Sequence, residues 1–161
     1  MTRSGYDRPM TRTALRLVTT VVLACTASTL QAQTKQKPAP VGATVYLTPT
    51  CGCCGKWTDH LKAAGFSVTR EVTTQLDAVP ARRRVPENLR SCHTAVIANY
   101  LVEGHVPADL VQKLLKERPK IAGIAVPGMP AGSPGMESNY PVPYTIVAFK
   151  ADGTTYEFAR R

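Results

Sequence analysis

Three cysteines within four positions, Cys51, Cys53 and Cys54, interleaved with Gly52 and followed by Gly55, constrain this chain more than any other feature. They stand where the hydrophobic period changes. Upstream, Thr44-Val45-Tyr46-Leu47 is a short β-branched and aromatic run closed by Pro49, the pattern of a strand. Downstream, Trp57, Leu61 and Ala64 recur at the i, i+4, i+7 spacing of one helix face, with Thr50 available as a cap and Gly65 at the stop. The cysteines are therefore expected at a strand-to-helix turn, where unpaired backbone N–H groups favour ionised sulfur. Lys56 adds a nearby cation, and packing alone has no need of three thiols spaced by glycine.

The remaining pattern completes a fold. Phe66 and Val68 alternate with polar neighbours as a second strand, and Leu76 to Arg84 reads as a helix interrupted near Pro80. Thr94 to Ile97 and Tyr100 to Val102 make a hairpin around Ala98-Asn99. A helix follows, with Pro107 in its first turn, an apolar stripe of Leu110, Val111, Leu114 and Leu115, and Pro119 at its end. Gly123 to Ser138, rich in glycine, proline and methionine, is expected to be an irregular loop. Tyr144 to Phe149 and Thr154 to Phe158 form a last hairpin around Asp152-Gly153. This order predicts an α/β fold: a thioredoxin-like central mixed sheet with flanking helices, plus a C-terminal Met/Gly/Pro loop and β-hairpin.

The N-terminus indicates the compartment. Arg3, Arg8, Arg12 and Arg16 precede an uncharged apolar run, Leu17 to Leu30, with small and polar residues around Ala32, the order of a secretory signal. Residues 1–32 are expected to be removed on export to the periplasm, 33–42 to form a flexible leader, and 43–160 to form the thioredoxin-like metal-binding domain. Val22-Leu23-Ala24-Cys25 loosely matches a lipoprotein box, so membrane attachment would require lipidation at Cys25. Loss of residues 1–32, with four arginines and one aspartate, lowers the net charge from +9 to +6. The cluster Arg82-Arg83-Arg84 reads as a solvated helix face, and export argues against a nucleic-acid partner.

Past Cys25, four cysteines need a chemical explanation: Cys51, Cys53, Cys54 and Cys92. Cys51 and Cys54 are spaced as in thiol-disulfide oxidoreductases and are the redox candidates. Cys53 would lie beside both and scramble the pair, whereas a polynuclear metal site gains from a bridging sulfur. Ser91-Cys92-His93-Thr94 precedes the first hairpin, where thioredoxin-like proteins bring a cis-proline against the active-site turn, so Cys92 and His93 are expected to face the other thiols. Met129 and Met136 stand in the Gly/Pro-rich loop as soft donors suited to Cu(I). His105 is a weaker candidate ligand, and His60 is expected to face solvent. A four-ligand zinc site is the alternative and would leave the methionines idle.

Cys51-Gly-Cys-Cys-Gly-Lys-Trp57, Ser91-Cys-His-Thr94, Glu103-Gly-His-Val-Pro107 and Gly128-Met-Pro-Ala-Gly-Ser-Pro-Gly-Met-Glu137 together resemble the family of metal-binding domains that includes the bacterial copper-resistance protein CopG. The likeness runs from about Thr44 to Phe158. It implies a periplasmic thioredoxin-like protein whose cysteine-rich turn holds a multi-copper cluster, with Cys51, Cys53, Cys54 and Cys92 as sulfur ligands and His93, Met129 and Met136 assisting. The expected function is copper resistance or homeostasis: sequestration of Cu(I) by a non-enzymatic protein, or interconversion of Cu(I) and Cu(II) by a copper oxidoreductase. Copper ions, and other periplasmic copper-handling proteins, are the expected partners.

Overall fold

The computed structural model describes residues 39–161, so the segment read as a signal peptide, Cys25 and most of the leader lie outside the described residues. The elements are β1 (Gly42–Leu47), α1 (Gly52–Ala63), β2 (Ser67–Val72), the short α2 (Pro80–Arg83), β3 (His93–Ile97), β4 (Tyr100–Glu103), α3 (Ala108–Glu117), β5 (Gly123–Ala125), β6 (Thr145–Phe149) and β7 (Thr155–Arg160). Gly42, assigned to the leader by sequence, already opens β1. All seven strands form one mixed sheet in the order β2-β1-β3-β4-β5-β6-β7. The β1–β2 and β4–β5 pairs are parallel and the other four antiparallel.

Both faces of the sheet are covered, and strand alternation divides the core between them. Val45, Ala95, Ile97, Val102 and Ile124 pack with Trp57 and Leu61 of α1 and with Leu110, Val111 and Leu114 of α3. On the opposite face Leu101, Ala125 and Phe149 pack with Val85 and Leu89 from the segment that follows α2. The same alternation separates His93 from Thr94. His93 falls on the α1 face against Trp57, and Thr94 falls on the α2 face opposite its cross-strand partner Glu103.

Two expectations are corrected here. Gly123, Ile124 and Ala125 are not part of an irregular loop: they form β5, a fully buried strand hydrogen-bonded on both edges. Composition hid it because the strand is only three residues long and opens with glycine. That glycine is required by close packing, since a Cβ on Gly123 would run into the Leu101 carbonyl oxygen and lie 2.7 Å from Phe149 Cζ. Thr50 does not cap α1 either. Cys51 is the N-cap residue and makes no side-chain cap bond, so the first turn of α1 has no side-chain cap.

Gly123→Ala should destabilise the domain by about 1–3 kcal/mol through overpacking. Gly42→Ala, whose Cβ would meet nothing within 4 Å, is the control and should shift the denaturant midpoint little. Urea titration of both variants measures the difference.

Candidate metal centre

The turn from β1 into α1 presents three sulfurs, and the segment entering β3 presents a fourth. The Sγ atoms of Cys51, Cys53, Cys54 and Cys92 lie within 4.8 Å of one another, although Cys92 is far away in sequence. Cys51 and Cys54 are joined as a disulfide, while Cys53 and Cys92 are free thiols. Cys53 Sγ is 3.5 Å from Cys51 Sγ, and Cys54 Sγ lies 3.6 Å from the Cys92 carbonyl oxygen. Cys54 is buried and the other three are half-buried, so the cluster opens to solvent on one side only.

Two imidazoles stand behind the sulfurs. Cys92 Sγ is 3.6 Å from His93 Nδ1 and 3.3 Å from His105 Nε2, and these three residues form a second group with ligand atoms within 4.8 Å. His93 is fully buried, tilted against Trp57 with ring centroids 4.3 Å apart and edge-on to His105 at 5.2 Å. Its Nε2 has no hydrogen-bond partner among the described residues. His105 Nδ1 donates to the Pro134 carbonyl oxygen at 2.8 Å. A carbonyl only accepts, so the proton belongs on Nδ1 and the lone pair on Nε2, which faces the Cys92 sulfur. Backbone carbonyls orient metal-binding histidines in this way.

The electrostatics keep the inner groups neutral. Burial, reinforced by His105, depresses His93 to a pKa of about 3, and burial also lowers that of His105. Both rings thus keep a lone pair at neutral pH. Burial pushes the Cys92 thiol up to about 11, against the opposing hydrogen bond from Ser91, so an ion bound there must displace a proton.

The methionines are placed differently. Met136 lines a surface hollow with Cys53, Lys56 and Glu137, beside the exposed edge of the cluster. Met129 is 53 % exposed, one residue after Gly128, whose carbonyl oxygen accepts from Ser91 Oγ at 3.1 Å. His60, expected to face solvent, is half-buried, and its Nε2 accepts the Ala108 N–H at 3.0 Å at the start of α3. It is engaged in joining two helices.

The largest omission from the sequence reading is Glu103. It is fully buried, and its Oε1 accepts from Arg82 Nη1 at 2.8 Å and from the Ser91 N–H at 2.6 Å. Its Oε2 accepts from Thr94 Oγ1 at 2.6 Å. One carboxylate therefore grips the chain on both sides of Cys92-His93. The solvated helix face expected at Arg82 is corrected accordingly. Arg82 is 8 % exposed and bridges Asp77 to the Glu103 carboxylate, for which it is the one paired cation among the described residues. Nothing in the Arg82-Arg83-Arg84 run marks which arginine would be buried.

The family model described as "Protein of unknown function, DUF411" matches residues 89–136, which include Cys92, His93, His105 and both loop methionines. Two solved structures, "Copper resistance protein copG- Form 1" and "Copper resistance protein copG- Form 2", are each 44% identical to this chain with a TM-score of 0.71. Each match covers 76% of this chain and 98% of the solved one. No curated protein matches the chain.

Arg82→Met should cost about 3–5 kcal/mol at pH 7 by stranding a buried carboxylate, and less toward acid pH, since burial already holds the Glu103 pKa above the usual carboxylate range. Arg82→Met combined with Glu103→Gln should recover most of that loss in denaturant titration. The metal-free protein should also lose stability as pH falls. His93 has a folded pKa far below its ordinary 6.5, so its contribution is complete above that value and declines as pH drops toward 3. The slope below about pH 6.5 should be shallower in His93→Gln than in the unsubstituted protein, Glu103 being common to both.

Proposed function

Because the chain belongs to the CopG-like family of copper-resistance proteins, we propose that it binds copper in the periplasm and holds Cu(I) on sulfur, as a multi-copper cluster, in the service of copper resistance. The observation that carries this reading is the convergence of four cysteine sulfurs, with two neutral imidazoles adjoining Cys92. Thiolate and imidazole are soft and borderline donors, suited to Cu(I) and to the exchange of an electron with Cu(II). A thiolate at Cys53 or Cys92 can bridge two ions, which a mononuclear site does not need.

Reading the first four strands as a thioredoxin-like core is supported by their β2-β1-β3-β4 order and by the cysteine turn between β1 and α1. On that reading β5 to β7 are additions that carry the Gly/Pro/Met loop between β5 and β6. Residues 1–32 would serve export and 33–42 would tether the domain, with lipidation at Cys25 the route to a membrane. No described helix is long and apolar enough to cross a membrane. Met136, which lines the same surface hollow as Cys53, would capture incoming Cu(I); Met129 would follow only by movement of its exposed loop.

The Cys51–Cys54 disulfide favours a second reading, thiol-disulfide exchange. The two differ in which residues matter. If copper is the cargo, anaerobic titration of the reduced protein with Cu(I) against a competing chelator should show more than one ion retained per chain. Cys53→Ser and Cys92→Ser should reduce that number as severely as Cys51→Ser or Cys54→Ser. Retention of one ion or none would refute the cluster. Insulin reduction abolished by Cys54→Ser and indifferent to His93→Gln would instead favour exchange. Zinc in place of copper, in protein from cells grown in either metal, would favour the mononuclear zinc alternative.

A further inference from the structure

The two groups of ligand atoms overlap at Cys92 and differ in their dependence on redox state. The four-sulfur group needs Cys51 and Cys54 as thiolates. The group of Cys92, His93 and His105 contains neither of them. Resting on the copper reading, we propose that when Cys51 and Cys54 are joined, Cys92, His93 and His105 form a one-ion copper site of their own. The disulfide then sets capacity: one ion while it stands, several once it is reduced.

The geometry supports a single ion among these three residues. A metal–sulfur bond of about 2.3 Å and metal–nitrogen bonds of about 2.0 Å place the sulfur of a trigonal or tetrahedral ion about 3.5–3.8 Å from each nitrogen. Cys92 Sγ already stands 3.6 Å from His93 Nδ1 and 3.3 Å from His105 Nε2, so little movement is required. Each residue is held from outside the group. Ser91 and Thr94, bonded to Glu103, fix the chain on either side of Cys92-His93; Trp57 supports the His93 ring; and Pro134 fixes His105 with Nε2 free of a proton. Access is through the half-buried Cys92, since both rings are buried.

Two nitrogens and one thiolate around copper is the donor set of one-electron copper centres. An ion held there would remain close to the cysteine turn through the shared sulfur. The site therefore takes a monovalent or divalent copper ion and has no oxygen donors for hard cations.

The test is anaerobic Cu(I) titration of two preparations of the unsubstituted protein, one fully reduced and one with the Cys51–Cys54 linkage verified by mass spectrometry. The disulfide form should retain about one ion per chain. His93→Gln or His105→Gln in that form should weaken retention at least about tenfold, the scale of losing support at a metal site. X-ray absorption of the unsubstituted disulfide form guards against misfolding of the variants and should show two nitrogens together with sulfur. A disulfide form that holds no copper while the reduced form holds several would overturn this inference and leave the copper reading standing. Sulfur-only coordination in the disulfide form would also overturn it. Failure of both preparations to bind would remove the copper reading itself.

Discussion

A buried carboxylate organises the site without touching any of its sulfurs. Glu103 sits on β4 with no exposure, surrounded by Arg82, the Ser91 N–H and the Thr94 hydroxyl. A carboxylate taken out of water without partners is strongly unfavourable, so all three donors must stay in place. Their combined effect is to fix the backbone immediately before and after Cys92-His93. Strand alternation then sends Thr94 toward Arg82 and His93 toward the cysteine turn. Position at the candidate metal centre on one face is thus determined by electrostatics on the other.

The Gly/Pro/Met loop after β5 gives the site its second boundary. Its value lies at least as much in backbone as in thioether. Pro134 offers the carbonyl that orients His105, and Gly135 lies so close to α1 that a Cβ would stand 2.7 Å from the Cys53 carbonyl oxygen and 3.0 Å from the Trp57 nitrogen. Gly135 also adopts φ +86, a conformation that side chains disfavour. The glycines that make the loop look irregular in sequence are what allow it to lie against the helix start and approach the cysteine cluster.

On the proposed function, copper and thiol chemistry would compete for the same sulfurs. Clustered free thiols in an oxidising compartment tend toward disulfides, and a bound soft ion protects them by occupying the lone pairs that would attack. The raised Cys92 thiol gives the competition a direction. Protonated, it is a poor nucleophile, and only an ion strong enough to displace the proton can recruit it. On the proposed function Cys92 would serve metal capture rather than attack on the neighbouring disulfide.

Local pattern was enough to read the strand-to-helix turn of Cys51, Cys53 and Cys54, the hairpin after Cys92, the stripe of α3 and the last hairpin, because each depends on periodicity and turn chemistry within a few residues. It also marked the Cys92-His93 pair. It missed β5, where three residues are too few to show a period, and misread Arg82, whose burial depends on a carboxylate 21 positions away. It named His105 only as a weaker candidate, and the Pro134 carbonyl that orients that ring is a contact no spacing rule describes. Residue types able to hold a soft ion were written in the sequence; which of them meet, which are neutral and which way their lone pairs point arose only when distant segments packed, since burial and hydrogen-bond direction belong to the folded surroundings.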